Sequence, residues 1–218
     1  MDGLTPTTEL LFEPISKLEC ISPYTLVGGT ALSIQLNTRL SEDLDFMSWK
    51  TSQNEKLEVD WVTIQKELSS IGEVEKVDIL DFDHIEFVVS GVKISFYANP
   101  NYSPLKERIH ILNNLFIADK TAIGGMKMEV LLRRSKFRDY YDIYSLLQAG
   151  MDINEMIEIA LKYSGHRLKS KNLLAMLTKS DRFNPNTQFK TLNPKYQVTP
   201  KDIENLIISK LSPTSTIP

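Results

Sequence analysis

Two aspartates stand one residue apart in a stretch that otherwise reads as a buried strand. Asp43 and Asp45 alternate with Leu44 and Phe46 in the segment SEDLDF. Residues i and i+2 of a strand project to the same face, so we expect both carboxylates on one face and both apolar side chains on the other. Neighbouring carboxylates need a cation between them. Oxygen ligands without nearby histidines favour Mg²⁺ or Mn²⁺, which are commonly bound by one or two carboxylates together with substrate phosphates.

A glycine pair precedes these acids by one short helical segment. Gly28 and Gly29 close an apolar run and are followed by TALSIQL. Such a turn lets the backbone come close to a ligand, and the first N–H groups of the following helix form an anion site. Thr30 adds a hydroxyl donor. Each feature alone is common in plain turns and solvated strands, but in this order they indicate a nucleoside triphosphate site.

The stretch LVGGTALSIQLNTRLSEDLDF resembles the first motif of the AbiEii/AbiGii-type nucleotidyltransferases, members of the DNA polymerase beta-like superfamily. That motif is a Gly-Gly or Gly-Ser turn, a short helix, an Arg-x-Ser segment and Asp-x-Asp-Phe. The resemblance implies that Asp43 and Asp45 are catalytic and bind the metal ion, and that the other polar positions bind the nucleotide. The matching residues are Gly28, Gly29, Thr30, Arg39, Ser41, Asp43, Asp45 and Phe46.

A second block, DKTAIGGMKMEVLLRRSKFRDYYDIYSLL, resembles the later motif of the same family, in which a helical Lys is followed by Arg and an Asp-aromatic-x-Asp segment. Lys127 fills the lysine position, and the resemblance implies that it binds the nucleotide and offsets charge on the leaving pyrophosphate. Asp142 joins the catalytic set, while Arg133, Arg134 and Asp139 orient these groups or contact the acceptor. Two plainer alternatives stay open: a surface lysine at 127, and stabilisation of a helix N-terminus by Asp139.

The resemblance covers roughly residues 20–150 and implies a biochemical activity. Members of this family transfer a nucleoside monophosphate from an NTP to an acceptor and release pyrophosphate. An RNA such as tRNA is the implied acceptor. Some relatives are toxins of toxin–antitoxin or phage-defence pairs, so a cognate antitoxin protein is an implied partner.

One position departs from the pattern of polymerase-beta-like enzymes. Many of them carry a third metal-binding carboxylate on a later strand, but the corresponding segment VKISFYA has Ser95 at the inward position. Asp142 or Asp139 of the later block could substitute for this carboxylate. The departure also leaves open an alternative from another class, a catalytically weakened domain of the same fold that binds nucleotide or a partner. A sugar-nucleotide glycosyltransferase, which also uses Asp-x-Asp, is disfavoured because no dinucleotide-type α/β domain precedes the acids.

Composition sets the outer limits of the interpretation. The chain has 218 residues, 42% apolar and 24% charged, with a net charge of −3, so nucleic-acid binding would need a local basic patch. Cys20 is the only cysteine, which excludes an internal disulfide and a cysteine-built zinc site. No apolar stretch is long enough to span a membrane, and the first residues do not resemble a secretory signal. We therefore expect a cytoplasmic protein.

The order of elements predicts an α+β fold with a nucleotidyltransferase-like mixed β-sheet core and flanking helices. Strands are predicted at 24–27, 44–47, 73–81, 84–90 and 92–98, with Ser90 and Gly91 in a tight hairpin turn. Helical periodicity is weak over 7–19, then clear over 30–36 and 55–72. Further helices are predicted at 119–134, 138–150, 153–165 and 201–211, the last opened by a Thr199 cap and Pro200.

Three segments follow from this order. Residues 1–118 are predicted to form the nucleotidyltransferase-like core, 119–211 a helical region that completes the active-site cleft, and 212–218 a disordered tail. An irregular connection is expected over 181–198. Two basic clusters, 133–138 and 162–171, could follow the phosphates of an RNA, although the second is more simply explained as a solvated face. The acidic stretch DILDFDHIE is expected to bound a hairpin without a chemical role.

Overall fold

The structure is a computed structural model that describes residues 1–52, 54–165, 167–185 and 187–211. The tail predicted at 212–218 lies outside the described residues. The chain divides into two compact units, Met1–Asp119 and Lys120–Pro218. Among the residues that the structure describes, no helix is long and apolar enough to cross a membrane.

The first unit is built around a seven-stranded mixed sheet. Its spatial order is β3-β4-β5-β2-β1-β7-β6. The β1–β7 and β2–β5 pairs are parallel, and the other four neighbouring pairs are antiparallel. This sheet confirms the predicted α+β class. The strands are β1 Thr25–Val27, β2 Leu44–Lys50, β3 Val74–Asp81, β4 His84–Val89, β5 Val92–Tyr102, β6 Arg108–Leu112 and β7 Leu115–Ala118.

Alternation along the central strands separates a core face from a polar face. Leu44 and Phe46 of β2 are buried beside Ile94 and Phe96 of β5, and the rings of Phe46 and Phe96 stack with centroids 5.2 Å apart. The intervening residue Asp45 projects to the opposite face. We call that opposite face of β1, β2, β5 and β4 the Asp45 face.

The helices of the first unit are α1 Pro6–Ser16, α2 Gly28–Leu36 and α3 Trp61–Leu68. Helix α2 begins at Gly28, two residues before the predicted start at Thr30. Helix α3 is much shorter than the predicted 55–72, because Asp60 caps it by accepting a hydrogen bond of 3.2 Å from the Thr63 backbone N–H.

Turn chemistry explains one correct prediction and two missed strands. Ser90 and Gly91 both have positive φ, 47° and 78°, as the predicted two-residue hairpin between β4 and β5 requires. Strands β6 and β7 were not predicted, since RIHIL and LFIA are short and differ in pattern. They meet through a second hairpin in which Asn113 has φ 49°.

The second unit is helical within the described residues, as predicted from residue 119 onward. Its helix α6 packs closely on α4, where a Cβ on Gly124 would lie 2.1 Å from Met156 Sδ, and one on Gly125 would lie 2.3 Å from Ile159 Cγ2. This second glycine pair therefore serves helix packing. The helices are α4 Lys120–Val130, α5 Phe137–Gln148, α6 Ile153–Tyr163, α7 Ser170–Leu177, α8 Thr187–Lys190 and α9 Pro200–Leu211.

Two further sequence expectations concern the last part of this unit. The cap at Thr199 is confirmed, since its hydroxyl oxygen accepts from the Asp202 backbone N–H at 3.2 Å and its own backbone N–H donates to Asp202 Oδ2 at 2.8 Å. Helix α7 was missed, because only Leu173 and Leu177 of its eight residues are buried and the charged surroundings hide the pattern. The segment predicted as irregular contains the one-turn helix α8.

Candidate active site

Gly28 brings the start of α2 against the carboxylate of Asp45. The residue has φ 71°, a conformation that L side chains rarely adopt. Its neighbour Val27, the last residue of β1, pairs with Asp45 of β2. A Cβ on Gly28 would lie 2.7 Å from Asp45 Oδ2. The absence of a side chain at position 28 is therefore what allows an acidic oxygen to lie beside a helix N-terminus.

Gly29 has the same relation to the Arg-x-Ser segment. A Cβ on Gly29 would lie 2.5 Å from Arg39 Nη2 and 3.2 Å from Ser41 Oγ. Arg39 is buried, and its Nη1 donates to the Leu40 carbonyl at 2.8 Å. Ser41 is fixed through its backbone, because its N–H donates to the Gly3 carbonyl and its own carbonyl accepts from the Thr5 N–H. We call residues 27–30 and 39–45 the glycine corner.

Thr30 ties the two halves of the glycine corner together. Its hydroxyl is buried, lies 2.8 Å from Ser41 Oγ and donates to the carbonyl of Asp43. The hydroxyl that the sequence suggested as a phosphate donor is thus engaged in holding the loop that leads into β2.

Asp43 differs from the sequence prediction in its backbone. It lies directly before β2, which begins at Leu44, so strand alternation does not fix its direction as it fixes that of Asp45. The Asp43 side chain is partly exposed, and no hydrogen bond or ion pair reaches its carboxylate from the residues the structure describes. A carboxylate without a protein cation is available to a bound one.

A row of four residues crosses the Asp45 face. Val27 pairs with Asp45, Asp45 with Ser95, and Ser95 with Glu86 of β4. Ser95 therefore does stand beside Asp45, at the position where a third carboxylate would be. It is fully buried, and its Oγ has no hydrogen-bond partner within the described part of the chain.

The carboxylates of the glycine corner are candidate ligands of a divalent ion. Across the described ranges, no group of three or more His, Cys, Asp or Glu side chains could hold a metal. The chemistry of the corner suits the two-carboxylate mode, because Asp43 lacks a protein partner and Asp45 lies beside the helix start where phosphates bind. The residues present fit Mg²⁺ or Mn²⁺ completed by substrate phosphates.

In the second unit, four charged residues from the later motif meet. The Lys127 Nζ lies 2.9 Å from Asp139 Oδ1 and 2.7 Å from Asp142 Oδ2. Arg134 contacts the same Asp139 through Nε, 2.8 Å from Oδ2, and through Nη2, 3.0 Å from Oδ1. We call these four residues the Lys127 network. Lys127 is buried, so it is not the surface lysine of the plainer alternative.

The Lys127 network keeps Asp139 ionised. Burial alone would raise the pKa of this carboxyl, because the charged form loses its hydration. The ion pairs with Lys127 and Arg134 outweigh burial, and the pKa of Asp139 lies well below its usual range. The position of Asp139 in the first turn of α5 also agrees with the N-terminal stabilisation that the sequence left open.

The two basic clusters converge on one buried acid that the sequence reasoning missed. Arg133 Nη2 lies 2.9 Å from Glu129 Oε1, and Arg167 Nη2 lies 3.6 Å from the same atom. The Glu129 side chain is 3% exposed, whereas the two arginines are 63% and 62% exposed. The only sequence signal was the spacing of Glu129 and Arg133 by four residues in a helix. The interpretation of the 162–171 cluster as a solvated face did not include the ion pair between Arg167 and Glu129.

A mixed sheet followed by helices is the architecture that the sequence resemblance implies for a nucleotidyltransferase, and comparison with known proteins agrees. The family model described as nucleotidyl transferase AbiEii toxin, type IV toxin–antitoxin system, matches residues 9–207. The chain therefore belongs to the AbiEii family and is a nucleotidyltransferase. The expected family, fold class and enzyme class are thus confirmed.

The individual proteins that are similar to this chain have low sequence identity to it. An uncharacterised protein of Aquifex aeolicus (strain VF5) is 29% identical over 153 residues, which are 69% of this chain and 70% of that protein. MenT4, a nucleotidyltransferase toxin from Mycobacterium tuberculosis H37Rv, aligns with a TM-score of 0.57 and 11% identity over 95% of this chain and 89% of that one. JHP933 from Helicobacter pylori aligns with a TM-score of 0.48 and 19% identity over 94% and 87%. At 11% identity the likeness to MenT4 shows a shared fold.

Proposed function

We propose that this protein is a metal-dependent nucleotidyltransferase that transfers a nucleoside monophosphate from an NTP to an RNA acceptor. The observation that carries the proposal is the position of Asp45 Oδ2, which would lie only 2.7 Å from a Cβ on Gly28. A phosphate chain on the N–H groups of α2 would lie beside a carboxylate that can share a cation with it.

Each residue of the glycine corner has a role in this proposal. Asp43 and Asp45 hold the Mg²⁺ or Mn²⁺ ion, which when bound offsets negative charge on the phosphates. The backbone N–H groups of Gly28 and Gly29 bind the triphosphate. Arg39, Ser41 and Thr30 complete the nucleotide site: the guanidinium adds positive charge, and the two hydroxyls hold the loop in place.

We further propose that residues of the Lys127 network take part in this reaction. We assign Lys127 to the nucleotide phosphates and to the charge that develops on the leaving pyrophosphate. Asp142 and Asp139 orient the lysine through contacts of 2.7 and 2.9 Å. Arg134 and Arg133 serve as orienting or acceptor contacts. In this reading 119–211 supplies the remainder of the catalytic machinery.

The RNA acceptor is supported by the cations that meet at Glu129. Arg133 and Arg167 come from separate basic clusters, yet both have exposed side chains and both form an ion pair with Glu129. Replacing both by Gln should weaken binding of a labelled single-stranded RNA and lower the salt slope of log K by about 1.4, since each phosphate contact contributes about 0.7. Lys210→Gln, an exposed change in the same unit, serves as the control.

Membership of a type IV toxin–antitoxin family supports a role as the toxin of a two-gene pair. We propose that expression of the wild-type chain slows growth, that a cognate antitoxin protein relieves this effect, and that the variant Asp45→Asn is harmless. Growth of an Asp45→Asn strain as slow as that of the wild type would argue against toxicity through nucleotidyl transfer.

The alternative is a domain of the same fold that binds nucleotide without turnover. The observation that favours it is Ser95, a buried serine beside Asp45 where a third carboxylate is expected. The two candidates differ in products, because a binding domain releases no pyrophosphate and labels no acceptor.

One experiment separates the candidates. The protein is incubated with Mg²⁺, total RNA and each of the four labelled NTPs, and RNA and protein are then analysed by mass. We expect addition of one nucleotide mass to RNA together with pyrophosphate release. Asp45→Asn should lower the rate by about 10²–10³-fold, as expected for loss of one electrostatic group from an active site. Tight NTP binding without any product would establish the binding domain instead.

A further inference from the structure

A carboxylate lies one strand beyond the position where the third acid is missing. Glu86 of β4 is the direct register partner of Ser95 of β5, and Ser95 is the partner of Asp45. Paired residues of neighbouring strands project to the same face, so Glu86 and Asp45 both lie on the Asp45 face. Their backbones are about 10 Å apart, which is two strand spacings.

Only a small side chain stands between these two acids. Ser95 is fully buried, and its Oγ has no hydrogen-bond partner among the residues described. A buried hydroxyl without a partner is costly and rare, and it marks a place where a polar ligand atom can be bound. The acids on either side of it therefore flank a polar position on the Asp45 face.

One oxygen of the Glu86 carboxylate has charged or polar neighbours. Lys93 Nζ lies 3.0 Å from Oε1, and His84 Nε2 lies 3.4 Å from the same atom. No described residue contacts Oε2 by a hydrogen bond or an ion pair. The buried side chains of Ile85 and Phe87 fix the strand from the core side. The strand thus directs Glu86 to the Asp45 face, and its Oε2 is available to accept a proton.

We propose that Glu86 is a catalytic residue that takes over the task of the missing third acid. This inference rests on the proposed function. As the acceptor hydroxyl oxygen attacks the α-phosphorus of the NTP, Glu86 accepts the hydroxyl proton. A new P–O bond forms, the bond from the α-phosphorus to the bridging oxygen of the β-phosphate breaks, and pyrophosphate leaves with that electron pair.

Three variants test this role. Glu86→Gln should lower kcat by about 10²–10⁴-fold, the usual size of a lost general base, and leave the KM for the NTP unchanged. Lys93→Met breaks the same ion pair but keeps the carboxylate, so its kcat should remain near that of the wild type. Adding Ser95→Asp to Glu86→Gln places an acid beside Asp45 and should recover at least a tenfold part of the lost kcat.

The outcomes are distinct. If Lys93→Met loses as much activity as Glu86→Gln, the ion pair is structural and the inference is wrong. If Glu86→Gln retains full kcat, Glu86 takes no part in the chemistry, while the proposed function stands. Should the Ser95→Asp double variant not fold, Glu86→Asp decides, because a shortened carboxylate must exceed Glu86→Gln in kcat. A wild-type protein without transfer activity would overturn the proposed function itself.

Discussion

The two units treat their functional charges in opposite ways. In the Lys127 network, Lys127 and Arg134 already contact the carboxylates of Asp139 and Asp142 at distances of 2.7–3.0 Å. In the glycine corner, no described residue offers a cation or a hydrogen bond to the carboxylate of Asp43. The charges of the Lys127 network are neutralised by folding, whereas the carboxylate of Asp43 can be neutralised by a ligand.

This difference predicts where stability and activity separate. Buried charges that pair with one another make the fold depend on every member, because removing one leaves another uncompensated. A carboxylate that lacks a protein partner can be removed with little harm to the fold. Variants at both sites and the pH dependence of unfolding test this contrast.

The largest effect on stability is expected for Lys127→Met. It leaves Asp139 with only Arg134 and deprives Asp142 of a buried cation, so the free energy of unfolding should fall by about 3–5 kcal/mol. Lys17→Met is the matched control, since Lys17 forms an exposed pair with Glu13 at 2.8 Å, and it should leave the free energy of unfolding nearly unchanged. Urea unfolding of both variants measures the difference, and equal losses would contradict the contrast.

Gly28→Ala is expected to affect activity more than stability. Gly28 and Gly91 have φ 71° and 78°, so alanine at either position should cost about 1–2 kcal/mol through left-handed backbone strain. Only at position 28 would the new Cβ displace a functional group, Asp45 Oδ2 at 2.7 Å, whereas nothing lies within 4 Å at position 91. Nucleotidyl transfer should therefore be lost in Gly28→Ala and kept in Gly91→Ala. Similar activity in the two variants would remove Asp45 from the site.

Acid should weaken the Lys127 network through Asp139. The pKa of Asp139 is lower in the folded protein than in the unfolded chain, so the unfolded state binds more protons and this contribution to stability is present above about pH 3.9. As the pH falls further, the contribution should decline by up to about 1.4 kcal/mol per pH unit until the folded-state pKa is passed. The free energy of unfolding, measured from pH 7 to pH 2, should show this slope in the wild type and lack it in Asp139→Asn.

The smallest effect on stability is expected for Asp43→Asn. The free energy of unfolding should change by no more than about 0.5 kcal/mol, because no partner of the carboxylate is lost. A non-hydrolysable NTP with Mg²⁺ should nevertheless raise the melting temperature of the wild type more than that of the variant. A large loss of stability in Asp43→Asn would show that Asp43 has a structural role, and it would contradict the contrast between Asp43 and the Lys127 network.

Much of the fold follows from local patterns in the sequence. The alternation of β4 and β5, the hairpin at Ser90 and Gly91, and the helices around Lys127 and Asp142 were all correctly predicted. The errors lie where local signals are weak: α3 was placed too early because the cap at Asp60 was not recognised. Strands β6 and β7 were missed because four- or five-residue segments have no periodicity of their own.

The candidate site was less predictable than the fold. The resemblance named Asp43, Asp45 and Lys127, but it gave no reason to look at Glu86, which lies in a stretch expected to have no chemical role. Glu129 was also overlooked, because its partner Arg167 is 38 residues away in the sequence. Such residues become candidates only when strand register or helix packing brings distant segments together.

The sequence by itself determined which side chains alternate, where helices are capped and which glycines precede the paired acids, because these signals act over a few residues. Tertiary structure alone decided that Asp45, Ser95 and Glu86 share one row and that two basic clusters share Glu129. The physical reason is that strand order and helix packing are chosen by long-range burial of apolar surface, which short segments do not encode.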